Sequence, residues 1–300
     1  MRITKSISSA LLVSIFAILG LSTVAKAERP WFWPSCAYVE SGAPGPEGNF
    51  LKVKAVDNSI GLSRFNDRII VFMTDSPVWW RTFGVGVMRC DGPRATVRNI
   101  DEIRIGQARD TGQDGGLVID QSGKGFDRGD GPGRMWASKG GPFAPGATRE
   151  DGTSEIEIRV SGSRNEDRQL KRPPLVFAGS DRDDFVAAKY RRGLVQLYLS
   201  TGKDTNREDG PDLTVGLNAS DVLVHGSGGD DVVTLDGLGD SRLSKKLRGW
   251  EWGGPGNDRL FGHAGRDFLD GHGGNDVLRA GLGDDGNTGG GSGLYGGKGD

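Results

Sequence analysis

Cysteine is nearly absent from this chain: two residues in 300, Cys36 and Cys90. That excludes a cysteine-rich zinc module and a disulfide-dense mini-fold. Histidine is almost as scarce, with His225, His263 and His272 all beyond residue 220, so no Cys–His nucleophile pair is legible. No H-E-x-x-H, no G-x-S-x-G and no complete G-x-x-x-x-G-K-[ST] occurs, which removes the zinc-protease, hydrolase-elbow and P-loop readings. Long stretches with a 3.6-residue apolar period are missing, so helices are not expected. A strong charge of one sign is missing too. The net charge is −2, and this mild acidity argues against a nucleic-acid partner.

Apolar runs are short everywhere except at the start. Arg2 and Lys5 precede the apolar stretch 10–21 (ALLVSIFAILGL), and Ala25-Lys26-Ala27 follows. This is the layout of a secretory signal peptide over residues 1–27, too short in its apolar part to span a bilayer. Its removal takes the net charge to −5, because Arg2, Lys5 and Lys26 leave and no acid does. The expectation is a secreted or periplasmic protein without a transmembrane segment in its mature form. In an exported chain the even pair Cys36 and Cys90 reads as a disulfide.

Glycine is abundant, 51 residues, and it is ordered in the last quarter. Residues 253–261 read GGPGNDRLF, 262–270 GHAGRDFLD and 271–279 GHGGNDVLR; 280–288 (AGLGDDGNT) keeps the turn and loses the aliphatic. The unit is G-G-x-G-x-D-x-U-x, with U a large aliphatic residue. Its acid falls at Asp258, Asp267, Asp276 and Asp285, and its aliphatic at Leu260, Leu269 and Leu278. Each unit divides into a six-residue turn, whose glycines reach φ > 0, and a three-residue strand with one side chain inward. Two units make a coil of eighteen residues, so the turn 253–258 is expected against 271–276, and 262–267 against 280–285. Stacked carboxylates and turn carbonyls form an all-oxygen cage, which suits Ca²⁺. His263 and His272 stand at the second position of their units and read as turn residues, not as ligands.

The repeats resemble the RTX family, the haemolysin-type calcium-binding β-roll. The resemblance is close for 253–279 and partial for 280–288. It implies that Asp258, Asp267, Asp276 and Asp285 supply side-chain oxygens. It implies further ligands from the backbone of Gly253, Gly254, Pro255 and Gly256, and of Gly262, Ala264, Gly271, Gly273 and Gly274. Calcium is the implied cofactor. Weaker units lie upstream: 226–234 (GSGGDDVVT) with Asp231, 216–224 with Asp221, and 179–187 with Asp184. Asp184 and Asp221 read as turn residues. Asp231 is a further candidate ligand, yet no good unit follows it eighteen residues on, because 236–248 breaks the pattern. The basic residues of that break, Arg242, Lys245, Lys246 and Arg248, read as a loop insertion.

Short β-type runs cover the rest: Ile69–Met73, Ile103–Ile105, Leu117–Ile119, Ile156–Val160, Leu175–Phe177, Leu194–Leu199, Leu213–Val215, Val222–Val224 and Val232–Leu235. The expected fold is all-β, a right-handed parallel β-helix or β-roll solenoid with an N-terminal β-rich cap or small domain. Its division is 1–27 signal peptide, 28–100 disulfide-containing cap or domain, 101–252 irregular solenoid with loop insertions, and 253–300 calcium-binding roll. A separate β-sandwich over 28–150 is the competing layout. Trp31, Phe32, Trp33, Trp79 and Trp80 are expected to cap the solenoid or to stack on sugars. The expected function is that of an exported, non-enzymatic calcium-binding module. Two others stay open: an enzyme on extracellular polysaccharide using paired acids such as Asp183 and Asp184, and an adhesin for cell-surface or matrix polysaccharide. Residues 289–295 slip the repeat register by two, so the end at Asp300 is expected to be incomplete or paired with another molecule.

Overall fold

The computed structural model describes residues 34–42, 48–55, 59–74, 86–107, 116–121, 156–161, 174–192, 194–201, 211–216, 221–239, 246–283, 285 and 293–295. The signal-peptide segment and the five aromatic residues named above lie outside them, as do Arg242 and Lys245. Among the described residues the structure is β-strand and turn, with a 3₁₀ turn at Asp236–Leu238. No described helix is long and apolar enough to cross a membrane.

Two sheets account for the strands. In spatial order the first holds β1 (Ser35–Val39), β2 (Phe50–Ala55), β6 (Glu102–Gln107), β8 (Glu157–Ser161), β12 (Leu213–Gly216), β11 (Leu194–Thr201), β10 (Asp184–Arg191), β14 (Val232–Thr234), β16 (Arg259–Phe261) and β18 (Val277–Arg279). The second holds β19 (Gly293–Tyr295), β17 (Arg266–Gly273), β15 (Arg248–Pro255), β13 (Asp221–His225), β9 (Leu175–Ala178), β7 (Leu117–Asp120), β3 (Ser59–Phe65), β4 (Arg68–Thr74) and β5 (Gly86–Val87). From β13 onward the chain alternates strictly between the sheets, and each strand pairs in parallel with the next one in its own sheet. The strands before residue 108 belong to the same two sheets as the repeats. The β10–β11–β12 segment interrupts the parallel order with two antiparallel pairings.

Parallel pairing in one register stacks like positions over like. Along the second sheet one inward row runs Leu62, Ile119, Phe177, Val224, Glu251 and Leu269. Along the first, Val186, Val233, Leu260 and Leu278 are in line. Both rows feed a single core cluster between the sheets, in which Leu260 and Leu269 are fully buried. This is where the nine-residue aliphatic of the sequence goes. Each buried aliphatic contributes roughly 1.5–3 kcal/mol, which a three-residue strand cannot gain without neighbours above and below. The outer face of the second sheet carries its own cluster, where Trp250 and Trp252 stack at 6.0 Å and Phe268 lies 5.3 Å from Trp250.

The basic break 236–248 resolves differently at its two ends. Its start forms the 3₁₀ turn, but Arg248 opens β15 instead of ending a loop. It binds Asp221, with Nη2 donating to Oδ2 at 2.9 Å, and the Trp250 indole donates to Asp221 Oδ1 at 3.2 Å. The slipped register also resolves. β19 places Leu294 opposite Leu269, so 293–295 forms the strand beside β17.

Glu251 is the anomaly of the inward row. It is wholly buried where Val224 and Leu269 flank it, and neither carboxyl oxygen reaches a hydrogen-bonding partner. Burial first, and the nearby Asp267 second, push its pKa well above the usual carboxylate range. An unsatisfied buried polar group costs about 1–3 kcal/mol. Glu251→Leu restores the aliphatic row and is expected to raise stability by about that much, read from the denaturant midpoint at constant m. At the other end of the molecule Cys36 and Cys90 are joined in a disulfide that ties β1 to the segment after β5. Opening it by Cys36→Ser with Cys90→Ser, or by reductant, is expected to cost about 2–5 kcal/mol, seen as a lower midpoint in denaturant melts.

Candidate metal centre

The turns lie in two rows, one at each edge of the paired sheets. The first row joins the second sheet to the first and comprises 179–184, 226–231, 253–258 and 271–276. The second joins the first sheet to the second at 262–267, with 280–285 beyond β18. Within each row the aspartates are clipped in register. Asp184 N–H donates to Asp231 Oδ1 at 2.7 Å, Asp231 N–H to Asp258 Oδ1 at 2.8 Å, and Asp258 N–H to Asp276 Oδ1 at 2.9 Å. In the second row Asp267 N–H donates to Asp285 Oδ1 at 2.9 Å.

A second ladder runs the opposite way, one residue earlier in each turn. Asp183 Oδ1 accepts from Asp230 N–H at 2.9 Å, Asp230 Oδ1 from Asn257 N–H at 2.7 Å, and Asn257 Oδ1 from Asn275 N–H at 2.9 Å. Sequence reasoning treated this fifth position as free. Its signal was present, since Asp or Asn precedes the repeat aspartate at 183, 230, 257 and 275.

The ladder uses one oxygen of each aspartate. The other, Oδ2, is buried without a hydrogen-bonding partner on Asp231, Asp258 and Asp276. It folds back onto the first residue of its own turn: a Cβ at Gly226, Gly253 or Gly271 would stand 2.1–2.2 Å from that oxygen. These first-position glycines are thus required by close approach. Positive φ belongs to the second and fourth positions: Ser227 and Gly229, Gly254 and Gly256, His272 and Gly274, Gly281 and Gly283. A Cβ at Gly256 or Gly274 would meet the Gly229 or Gly256 carbonyl at 1.9 or 1.8 Å, so successive backbones are nearly in contact there.

The implied backbone ligands sit in these turns. The carbonyls of Gly253, Pro255 and Gly273 accept from Ser227, Gly229 and Gly256 N–H at 3.0, 3.1 and 2.8 Å, leaving a second lone pair on each. Gly254, Gly256, Gly271 and Gly274 belong to the same stacked turns of the first row, and Gly262 and Ala264 to the second. Among the described residues no three His, Cys, Asp or Glu side chains converge. A cation held here would therefore draw on pairs of carboxylates and on carbonyls. Bare, buried, hard oxygens in an irregular array fit Ca²⁺ and not zinc.

Two turns differ. In 262–267 both oxygens of Asp267 are occupied by His263, whose N–H donates to Oδ2 at 2.9 Å and whose Nδ1 lies 2.6 Å from Oδ1, all of it buried. His263 thus does more than fill a turn position. His272 is exposed at φ 67° and partners Asp270. In 179–184, Ser180 N–H and Oγ take Asp184 Oδ2 at 2.5 and 3.1 Å. Asp221 stands on β13 outside either row of turns.

Residues 252–286 match the family model of the RTX calcium-binding nonapeptide repeat, in four copies. This segment is an array of calcium-binding repeats, and the family it resembles in sequence is the family whose model it matches. No curated protein and no solved structure matches the chain.

Electrostatics follow from the bare oxygens. Burial, reinforced by the neighbouring carboxylates, raises Asp231 to about 8 and Asp258 to about 6. Both are raised above the unfolded value. The ion-free fold is therefore favoured below pH 4 at these two groups, and this contribution is lost as pH rises through 6 and 8. Chelator-treated protein is expected to hold more β-type circular dichroism at pH 5 than at pH 8.5, and saturating Ca²⁺ to abolish that difference.

Proposed function

We propose that the protein is an exported, non-enzymatic calcium-binding β-roll, in which Ca²⁺ between stacked turns stabilises or drives folding. The observation that supports this most directly is the pair Asp258 and Asp276. Their turns are stacked in register, and each keeps one buried oxygen with no partner inside the protein. Asp258 and Asp276, with carbonyls of 253–258 and 271–276, would hold the ion. Ca²⁺ supplies the positive charge that two adjacent carboxylates lack, and it binds only when both turns are in place. Binding free energy then adds to folding free energy. The signal-peptide pattern of residues 1–27 and the Cys36–Cys90 disulfide support export to an oxidising compartment. Extracellular calcium modules work at about 10⁻⁴–10⁻³ M, so the roll would stay loose in a low-calcium cell and become firm outside it.

The paired acids considered for polysaccharide cleavage, Asp183 and Asp184, are both engaged in the turn row, with Asp230 and with Ser180.

Millimolar Ca²⁺ is expected to raise β-type circular dichroism and the melting temperature of chelator-treated protein, and equal Mg²⁺ to do so poorly, because Mg²⁺ demands a tight octahedron. Asp258→Asn, which keeps the ladder acceptor and removes the charge, is expected to shift the Ca²⁺ midpoint at least tenfold. Equal responses to the two ions, or an unchanged midpoint in the variant, would refute the reading.

A further inference from the structure

The matched repeats begin at residue 252, yet the row of stacked turns begins far upstream, and its members exist in two states. The open state has positive φ at the second and fourth positions and a bare, buried Oδ2. It is found at 253–258 and 271–276, and also at 226–231, with Ser227 at 88°, Gly229 at 110° and Asp231 1% exposed. In the closed state the second residue of the turn takes the aspartate for itself through its amide and its side chain. That state is found at 179–184 through Ser180 and at 262–267 through His263. Neither closed turn has positive φ at these positions. Among the described residues, each is the turn at which the aspartate ladder of its row begins.

The repeat spacing marks the upstream turn but not the turn it stacks on. Asp231 and Asp258 are 27 residues apart, where a coil has eighteen. The structure absorbs the difference between β14 and β15, where the 3₁₀ turn lies, and keeps the turns in contact. Asp231 N–H reaches Asp258 Oδ1 at 2.8 Å, Gly229 N–H reaches the Pro255 carbonyl at 3.1 Å, and Arg259 N–H reaches the Asp231 carbonyl at 2.8 Å. The contacts between 226–231 and 253–258 thus repeat the aspartate clip and the close Gly229–Gly256 backbone approach seen one layer on, between 253–258 and 271–276.

We infer that the turn 226–231 completes a further calcium site, with Asp231 and Asp258 as its carboxylate ligands, and that Ser180 and His263 close the turns that head the two rows against the ion. This rests on the calcium reading above and extends it to residues outside the matched repeats. Three open turns in one row give two layers for ions. Asp258 then serves both layers, Asp231 and Asp276 one each, and Asp184 and Asp267 none.

The test is the calcium count per full-length chain, by native mass spectrometry and calorimetry in millimolar Ca²⁺. Asp231→Asn preserves the acceptor for Asp184 N–H and removes the ligand charge, and it is expected to lose one ion relative to wild type. Asp267→Asn is expected to keep the wild-type count. An unchanged count in Asp231→Asn overturns the upstream site, and a lost ion in Asp267→Asn overturns the closed-turn assignment. Wild type that takes up no calcium would instead refute the calcium reading itself. Should Asp231→Asn fail to fold, wild-type crystals grown with Ca²⁺ decide. Anomalous density at about 2.3–2.6 Å from both Asp231 and Asp258 supports the site. Density confined to the layer between 253–258 and 271–276 overturns it.

Discussion

One hydrogen bond, repeated layer by layer, creates both the order and the difficulty of this molecule. In the first row Asp231, Asp258 and Asp276 each give one oxygen to the amide of the preceding aspartate. That bond fixes the register of the turns, and with it the register of the short strands that follow. It also draws carboxylates into a buried column, where three of them keep an oxygen without a partner. Charges in such a column repel one another and are poorly solvated. The strands bury too little on their own to offset that, so the turn row is where a cation would have the greatest leverage on the stacked strands.

The core and the turns solve different parts of the problem. Parallel stacking lets one inward side chain per short strand join a continuous row, which is why an aliphatic every nine residues suffices. The two counter-running ladders, at the fifth and sixth positions, prevent a slip of one residue that would turn that row outward. Glu251 shows how tolerant the row is. An acid occupies an aliphatic place between Val224 and Leu269, and the strands on either side keep their pairing.

Much of this was legible beforehand. All nine short β-type runs coincide with strands, because alternating or continuous β-branched runs between Gly and Asp clusters leave few other conformations. The pairing of 253–258 with 271–276 followed from the period alone. Other features were not legible. The partner of Asp231 lies 27 residues on, and a fixed period cannot see across an insertion. His263 reads as a variant of glycine in the pattern, whereas its ring is buried on Asp267. Glu251, Trp250 and Trp252 fall in a stretch whose strand pattern carries mixed polarity, so which of them face inward depends on the neighbours above and below.

Sequence by itself determined the local rules: turns of six, strands of three, acids and aliphatics at set places, and the chemistry of hard oxygen ligands that follows. Those properties depend on residues close together in the chain. Only the tertiary structure decided which turns remain open to an ion and which close upon themselves. That choice depends on contacts between layers and on the backbone angles at the second and fourth turn positions, and neither is encoded in the spacing of the repeat.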